Sequence, residues 1–390
     1  MNRVGIIISH GASSGGSFQW IKNILESLNS FSNNSGIKII AFVLNENGYD
    51  NIFNNNKNIK VVRLNTLYFF INKFIDRIIF KFPKTSLLLK YISPLNIFSI
   101  FYNIDLMIFP TILSATYYRK KFVFMFCDIS HKYYPNFPEL GGDYGIRYRE
   151  AIFSNGCSNA TCIIVESEEL KKEVLKFYDT LESKIFVLYQ TFSTSLKNSE
   201  VNEVSNIVLP EKYIFYPAQL WEHKNHKNLL KAFKILREKD INISLVLTGF
   251  PKSGKDKIFD LIADLDIGNN ICYFGYVTDS AIVKIYKNAF ALVMPTYFGP
   301  TNIPTLEAFY YKCPAVISNL PGAYEQARDA VLYFDPDNPN ELAEKIFSLN
   351  NFYLRDELIF KGSIRSSELS FENYYNNRFQ NILKRFLNSE

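Results

Sequence analysis

Glu307 stands about one turn inside an expected helix, 304–311, that follows the loop YFGPTNIP (297–304). The loop itself leaves an apolar run of strand type, ALVMPT (291–296). Gly299 and the prolines mark a turn. Gly299 to Ile303 can aim backbone N–H groups at an anion from the positive end of the helix. Thr301 and Asn302 add side-chain donors, and a carboxylate at position 307 can accept the paired hydroxyls of a ribose. Together these residues have the make-up of a nucleotide-diphosphate cradle. The plain alternative is a helix-start glutamate that the dipole favours whether or not anything binds.

Three more stretches carry candidate chemistry. In YPAQLWEHKNHKNLLKAF (216–233), Lys224 sits in a short loop between a strand and a helix, where a cation beside free N–H groups suits a diphosphate. A solvated surface lysine is the ordinary alternative. In GASSGG (11–16), glycines let the backbone approach an anionic or polyhydroxyl ligand, although the pattern is no strict G-x-G-x-x-G and a tight turn explains it equally. In FCDISHKYYPNFPEL (126–140), Asp128 and His131 follow a strand directly. His131 can meet a substrate hydroxyl or move a proton near neutral pH, or it can be structural. All four histidines, at 10, 131, 223 and 226, fall at expected strand-to-loop exits, which favours a role for His131.

The elements that must position these loops alternate. Apolar runs at 3–10, 37–44, 104–110, 121–127, 160–167 and 184–190 read as buried strands, with helices at 18–28 and from Glu168 on. FSNNSG and NIFNNNKN read as loops by composition. A polar stretch, 195–212, reads as a linker. The second half then repeats the pattern from KYIFYPAQ to PAVIS, and the end of the chain reads as helical. Such alternation predicts an α/β protein of two doubly wound parallel-sheet domains. The expected divisions are 1–195, 196–365 and a C-terminal helix, 366–390. Ligands of such sheets bind beyond the carboxyl ends of the strands, and two facing domains place a site in the cleft between them.

At 390 residues the chain exceeds the usual size of one core. Hydrophobic residues make up 47% and charged residues 21%, an ordinary globular balance. Five cysteines without C-x-x-C spacing suggest neither a disulfide framework nor a zinc site, and point to a reducing, cytoplasmic setting. The N-terminal apolar run is too short for a signal peptide, and no run suits a spanning helix. The net charge of +5 is concentrated between Lys60 and Lys90, where Lys60, Arg63, Lys73, Arg77, Lys81, Lys84 and Lys90 face one acid, Asp76. Interleaved Phe, Ile and Leu there fit adsorption on an anionic membrane face, or equally an amphipathic helix packed on its own domain. No recognition module accompanies the charge, so nucleic acid is not an expected partner.

Taken in order, SHGASSGGS, CDISHKYYPNF, CIIVESEELKKEV, YPAQLWEHKNHKNLLKAF, LTGF, ICYFGYV and the long segment from YFGPTNIPTLEAF to NELAEKI resemble retaining glycosyltransferases of family 4. These are enzymes of the glycosyl transferases group 1 type, with the GT-B fold of two facing Rossmann-like domains. The resemblance implies that Glu307 holds the nucleotide ribose, Lys224 neutralises the donor diphosphate and His131 lies near the transferred sugar. It implies that Gly15 and Gly16 flank the diphosphate and acceptor, that the amides of Thr301, Asn302 and Ile303 cradle sugar and phosphates, and that the last helix, 366–390, crosses back onto the first domain. Two positions depart from the family. Gln219 stands where an arginine is usual, and Gly299 where the first of two paired glutamates is usual. Both lose charge and bear on donor contacts rather than on fold. Similar FGPTNIP loops occur in this class, so the departures read as the mark of a subgroup.

The implied reaction passes a hexose such as mannose from a nucleoside-diphosphate sugar to a hydroxyl of a glycan or lipid-linked acceptor, with retention. The setting implied is bacterial surface-polysaccharide assembly, including O-antigen, at the cytoplasmic membrane face. No metal or other cofactor is expected. The rival readings are a catalytically silent nucleotide-sugar-binding module and a GT-B sugar-nucleotide epimerase.

Overall fold

The computed structural model describes residues 2–387 apart from 12–14, 45–47, 50–51, 54–55, 66–67, 69, 72–73, 76, 79–92, 112–117, 193–195, 197–206 and 300–301. The chain forms two compact units. The first comprises Met1–Pro135, Leu140–Tyr189 and Tyr374–Glu390, and the second comprises Asn136–Glu139 and Gln190–Asn373.

In the first unit the strands are β1 (Arg3–Ile8), β2 (Lys38–Val43), β3 (Ile59–Arg63), β4 (Leu106–Phe109), β5 (Phe122–Phe126), β6 (Cys162–Val165) and β7 (Ile185–Val187). They form one parallel sheet in the order β3-β2-β1-β4-β5-β6-β7. Runs such as Val4–Ile8 and Phe122–Phe126 are buried throughout, as a sheet covered on both faces requires. Much of the aromatic content is spent here. Phe124 meets Phe126 at 4.9 Å between ring centroids, and Phe126 meets Phe153 at 4.7 Å. Sequence patterning misses β3, whose Lys60 and Arg63 belong to a strand paired with β2. It also misses the helix Gly142–Asn159. The helix expected at 18–28 runs Gly16–Ser35, so most of FSNNSG is helical rather than loop. Phe31 and Ser32 are buried on its inner side, and Gly36, at φ 72°, stops it with a bond from its N–H to the Ser32 carbonyl. The helix Asn376–Leu387 packs against it, where Ser27 donates to Asn376 Oδ1 at 2.7 Å.

In the second unit β8 (Tyr213–Pro217), β9 (Ser244–Thr248), β10 (Ile271–Tyr273), β11 (Ala291–Met294), β12 (Ala315–Ser318) and β13 (Val331–Phe334) form a parallel sheet in the order β10-β9-β8-β11-β12-β13. Successive strands run outward one way from β8 to β10 and the other way from β11 to β13. The β8/β11 pair is therefore the switch point, where the following loops diverge and leave room for a ligand. In the first sheet the switch lies between β1 and β4 by the same reasoning. The helix Ile303–Tyr310 is pinned from outside by Phe352–Glu368. Gly362 permits that approach, since a Cβ there would lie 2.6 Å from the Phe309 ring. Among the described residues no helix is long and apolar enough to cross a membrane.

Candidate functional site

Two loops flank the β8/β11 switch point. The first leaves β8 as Ala218–Trp221, makes the turn Glu222–Lys224, and enters the helix His226–Glu238. Asn225 joins turn to helix in a left-handed conformation, φ 56°, and its side chain accepts the Asn228 N–H as a cap. The same side chain donates to the Pro295 carbonyl at 2.9 Å, which ties the first loop to the second. The Tyr297 N–H adds a second tie, donated to the His223 carbonyl at 2.9 Å. Lys224 is half-buried, and its own carbonyl accepts the Tyr216 hydroxyl at 2.8 Å. Its position is thus set by the backbone of a turn fixed on both sides.

The second loop carries Gly299 at φ 97°, a conformation that favours glycine. Asn302 follows, then the helix Ile303–Tyr310. Asn302 engages its donors within its own unit. Its backbone N–H goes to Gln326 Oε1 at 3.0 Å, and its side-chain amide donates to the Gly299 carbonyl at 3.1 Å. Asn302 therefore shapes the loop. Ile303 opens the helix; Pro304 has no N–H and the Thr305 N–H goes to the Asn302 carbonyl at 3.0 Å, so Ile303 supplies the leading amide donor. Thr301 lies outside the described residues.

Glu307 is buried, 8% exposed, and its Oε2 accepts the hydroxyl of Tyr286 at 2.7 Å. Tyr286 comes from the helix Asp279–Asn288, is fully buried, and stacks on Tyr311. Burial pushes the Glu307 carboxyl up to about 7, with the Tyr286 hydrogen bond opposing and Asp279 adding to the rise. Gln219 is half-buried, and its Oε1 is committed to Trp221 Nε1 at 2.8 Å. The β8 and β11 loops and the start of the Glu307 helix thus gather Gln219, Lys224, Gly299, Asn302, Ile303 and Glu307 at one switch point.

The remaining candidates belong to the first unit. Gly15, at φ 60°, precedes Gly16 at the head of the long first helix, and a Cβ on Gly16 would meet nothing within 4 Å. Both lie at the β1/β4 switch point, where Ser9 Oγ and Thr111 Oγ1 approach to 3.1 Å. Ala12, Ser13 and Ser14 lie outside the described residues. His131 lies beyond β5 in a short turn and is 2% exposed. Its Nε2 is 3.1 Å from Glu150 Oε1, which also accepts the Tyr178 hydroxyl at 2.7 Å. Burial lowers the His131 pKa, against the pull of Glu150, and Glu150 itself is held below its usual value: burial would raise it, but bonds from Lys132, Tyr178 and His131 outweigh that. A neutral ring that donates from Nε2 leaves Nδ1 as an acceptor, and Nδ1 is buried without a partner among the described residues. His226 is a packing residue: burial lowers its pKa to about 3, and its ring lies 4.8 Å from that of Tyr216.

Three residues at the second site escape sequence reasoning. Tyr286 holds Glu307, Gln326 holds Asn302, and Glu139 accepts both the backbone N–H and Nδ1–H of His223, at 2.9 and 2.8 Å. No local pattern marks them, because strand order and not spacing brings each to its partner.

Residues 198–357 match the family model described as glycosyl transferases group 1. The β8 and β11 loops and the Glu307 helix all fall inside the match. O-antigen chain mannosyltransferase B of Escherichia coli is 24% identical over 243 residues, covering 60% of this chain and 64% of that protein. The chain spans between 48% and 64% of the length of the curated relatives it matches. Sucrose-phosphate synthase from Thermosynechococcus elongatus superposes with a TM-score of 0.75 at 16% identity, over 100% of both chains. Anabaena HepE, solved with UDP and glucose, superposes with a TM-score of 0.71 at 14% identity, over 99% of this chain and 100% of that one. Both units have the Rossmann-like parallel sheets of these GT-B structural neighbours.

Proposed function

We propose that the protein transfers a hexose, mannose in the first instance, from a nucleoside-diphosphate sugar to a hydroxyl of a glycan or lipid-linked acceptor, with retained anomeric configuration. The observation that carries this reading is Glu307. A buried carboxylate at a topological switch point, oriented by Tyr286 and one helix turn beyond the Gly299 loop, suits the paired hydroxyls of a ribose. Lys224, on the facing loop, supplies charge for the diphosphate. Negative charge grows on that leaving group as the glycosidic bond breaks, and a preset cation with the Ile303 N–H stabilises it without reorganising. Gln219 can add only a neutral contact from its amide. His131 Nδ1, as an acceptor, can orient a sugar hydroxyl, whereas its burial and engaged Nε2 disfavour a role as the sole base. No obvious nucleophile supports a covalent intermediate, so attack on the face that the diphosphate leaves, with the diphosphate helping to take the proton, is preferred. No residue of this scheme calls for a metal.

A mannosyl donor is supported by the Escherichia coli relative named above, and a uridine nucleotide by the Anabaena neighbour. Adsorption on an anionic membrane through 60–90 is supported by Phe70 and Phe74, each 63% exposed; Lys73, Lys81, Lys84 and Lys90 lie outside the described residues. Flotation with anionic liposomes tests that part, and protein left at the bottom of the gradient removes it. The donor reading is tested by thermal shift with UDP, GDP, ADP, dTDP and their sugars, on wild type and Glu307→Ala. One nucleotide should stabilise the wild type and not the variant. Stabilisation by none of them would overturn the reading.

A further inference from the structure

The segment Asn136–Glu139 is flanked on both sides by first-unit chain, yet it packs as part of the second unit. Phe137 lies 5.7 Å from the Tyr297 ring and 5.5 Å from that of Phe298. The His223 ring stacks on Phe298, nearly parallel at 11° with centroids 4.2 Å apart. Beneath this stack, one oxygen of Glu139 accepts two N–H groups of His223. The Glu139 side chain is 8% exposed and that of His223 12%. Burial alone would raise the Glu139 carboxyl, yet the bonds from His223 hold it below its usual value, so it is an ionised acceptor and the bonds are charge-assisted.

His223 is the middle residue of the turn that ends at Lys224, and its carbonyl receives the Tyr297 N–H and, at 3.3 Å, the Thr296 hydroxyl. One residue thereby joins the lysine turn to the loop that leads into Gly299. We propose that Glu139 is a positioning residue of the donor site. It fixes His223, and through His223 the Lys224 turn and the 296–299 loop, in the geometry that receives a diphosphate. This rests on the donor-site reading above and adds to it a residue from the first half of the chain.

Calorimetry on the full chain measures UDP against uridine, and GDP against guanosine. The ratio of affinities reports what the diphosphate adds. Glu139→Ala is expected to cut that ratio about tenfold, the scale of one lost charge-assisted hydrogen bond. Glu139→Gln keeps an acceptor without the charge and is expected about midway, which leaves a usable variant if the alanine form does not fold. In a Lys224→Ala background, Glu139→Ala should cause no further loss, because it acts through that lysine. An unchanged ratio in Glu139→Gln and Glu139→Ala, or full additivity with Lys224→Ala, overturns the proposal and leaves the donor site standing. A wild type that gains nothing from either diphosphate overturns the donor-site reading itself.

Discussion

Replacing Glu307 by glutamine should stabilise the ligand-free protein at alkaline pH and abolish nucleotide binding. The carboxyl titrates at about 7 in the folded chain against the usual 4.5, because burial penalises its charge. That displacement is worth about 3 kcal/mol. Its sign follows from proton counting. Below pH 4.5 both folded and unfolded chains hold the proton and nothing is lost. Between 4.5 and about 7 the unfolded chain ionises first, so stability falls as pH rises. Above about 7 the whole penalty is present. Glutamine does not ionise in either state, and its carboxamide oxygen can still accept the Tyr286 hydroxyl. Melting followed by near-ultraviolet circular dichroism should place Glu307→Gln close to wild type at pH 5. At pH 8 the variant should melt several degrees higher, the expected scale for a gain of about 3 kcal/mol in a chain of this size. A Glu307→Gln protein that melts at or below wild type at pH 8, or by the same margin at both pH values, would refute the burial account. The same protein should lose all nucleotide-induced stabilisation, a case of a site kept at the expense of stability.

Tyr286→Phe removes the one bond that lowers the Glu307 pKa, so the carboxyl should titrate above 7. Nucleotide affinity at pH 7 should fall about tenfold and recover as the pH is raised toward 9, as calorimetry across that range would show; a pH-independent loss would count against it. Gly249→Ala should destabilise by about 3 kcal/mol or more, measured by urea denaturation, since φ is 129° and the new Cβ would lie 2.4 Å from the Ala218 carbonyl beside Gln219. A stable Gly249→Ala protein would mean that this loop yields easily.

Most strands of both sheets are legible because parallel strands buried on both faces are unbroken apolar runs, as in Arg3–Ile8 or Ala291–Met294; β13, Val331–Phe334, is missed, being four residues long with its two middle positions only partly buried. Lys224 and Glu307 draw notice in the sequence because each lies in the loop-to-helix stretch that follows such a run. β3 is hidden because the edge strand Ile59–Arg63 buries Ile59 alone and exposes Lys60 and Arg63. The end of the first helix is hidden because the burial of Phe31 outweighs the loop composition of its neighbours. The groups that orient the site are hidden for another reason. Glu139 and His223 are 84 positions apart and Tyr286 and Glu307 are 21 apart, so only the folded topology pairs them. The bond from the Asn302 N–H to Gln326, 24 positions on, is another pairing that the loop sequence alone does not show.

The distribution of the chain between its two units has a consequence for how it is made. The first unit takes its closing segment, Tyr374–Glu390, from the far end of the sequence, and the second takes Asn136–Glu139 from within the first. During synthesis from the N-terminus, the second unit can close once residue 373 has emerged, while the unit that began earlier waits for its last helix. The order of completion is the reverse of the order of initiation. A cut after Tyr189 would release two fragments, and each would lack a piece that the other carries.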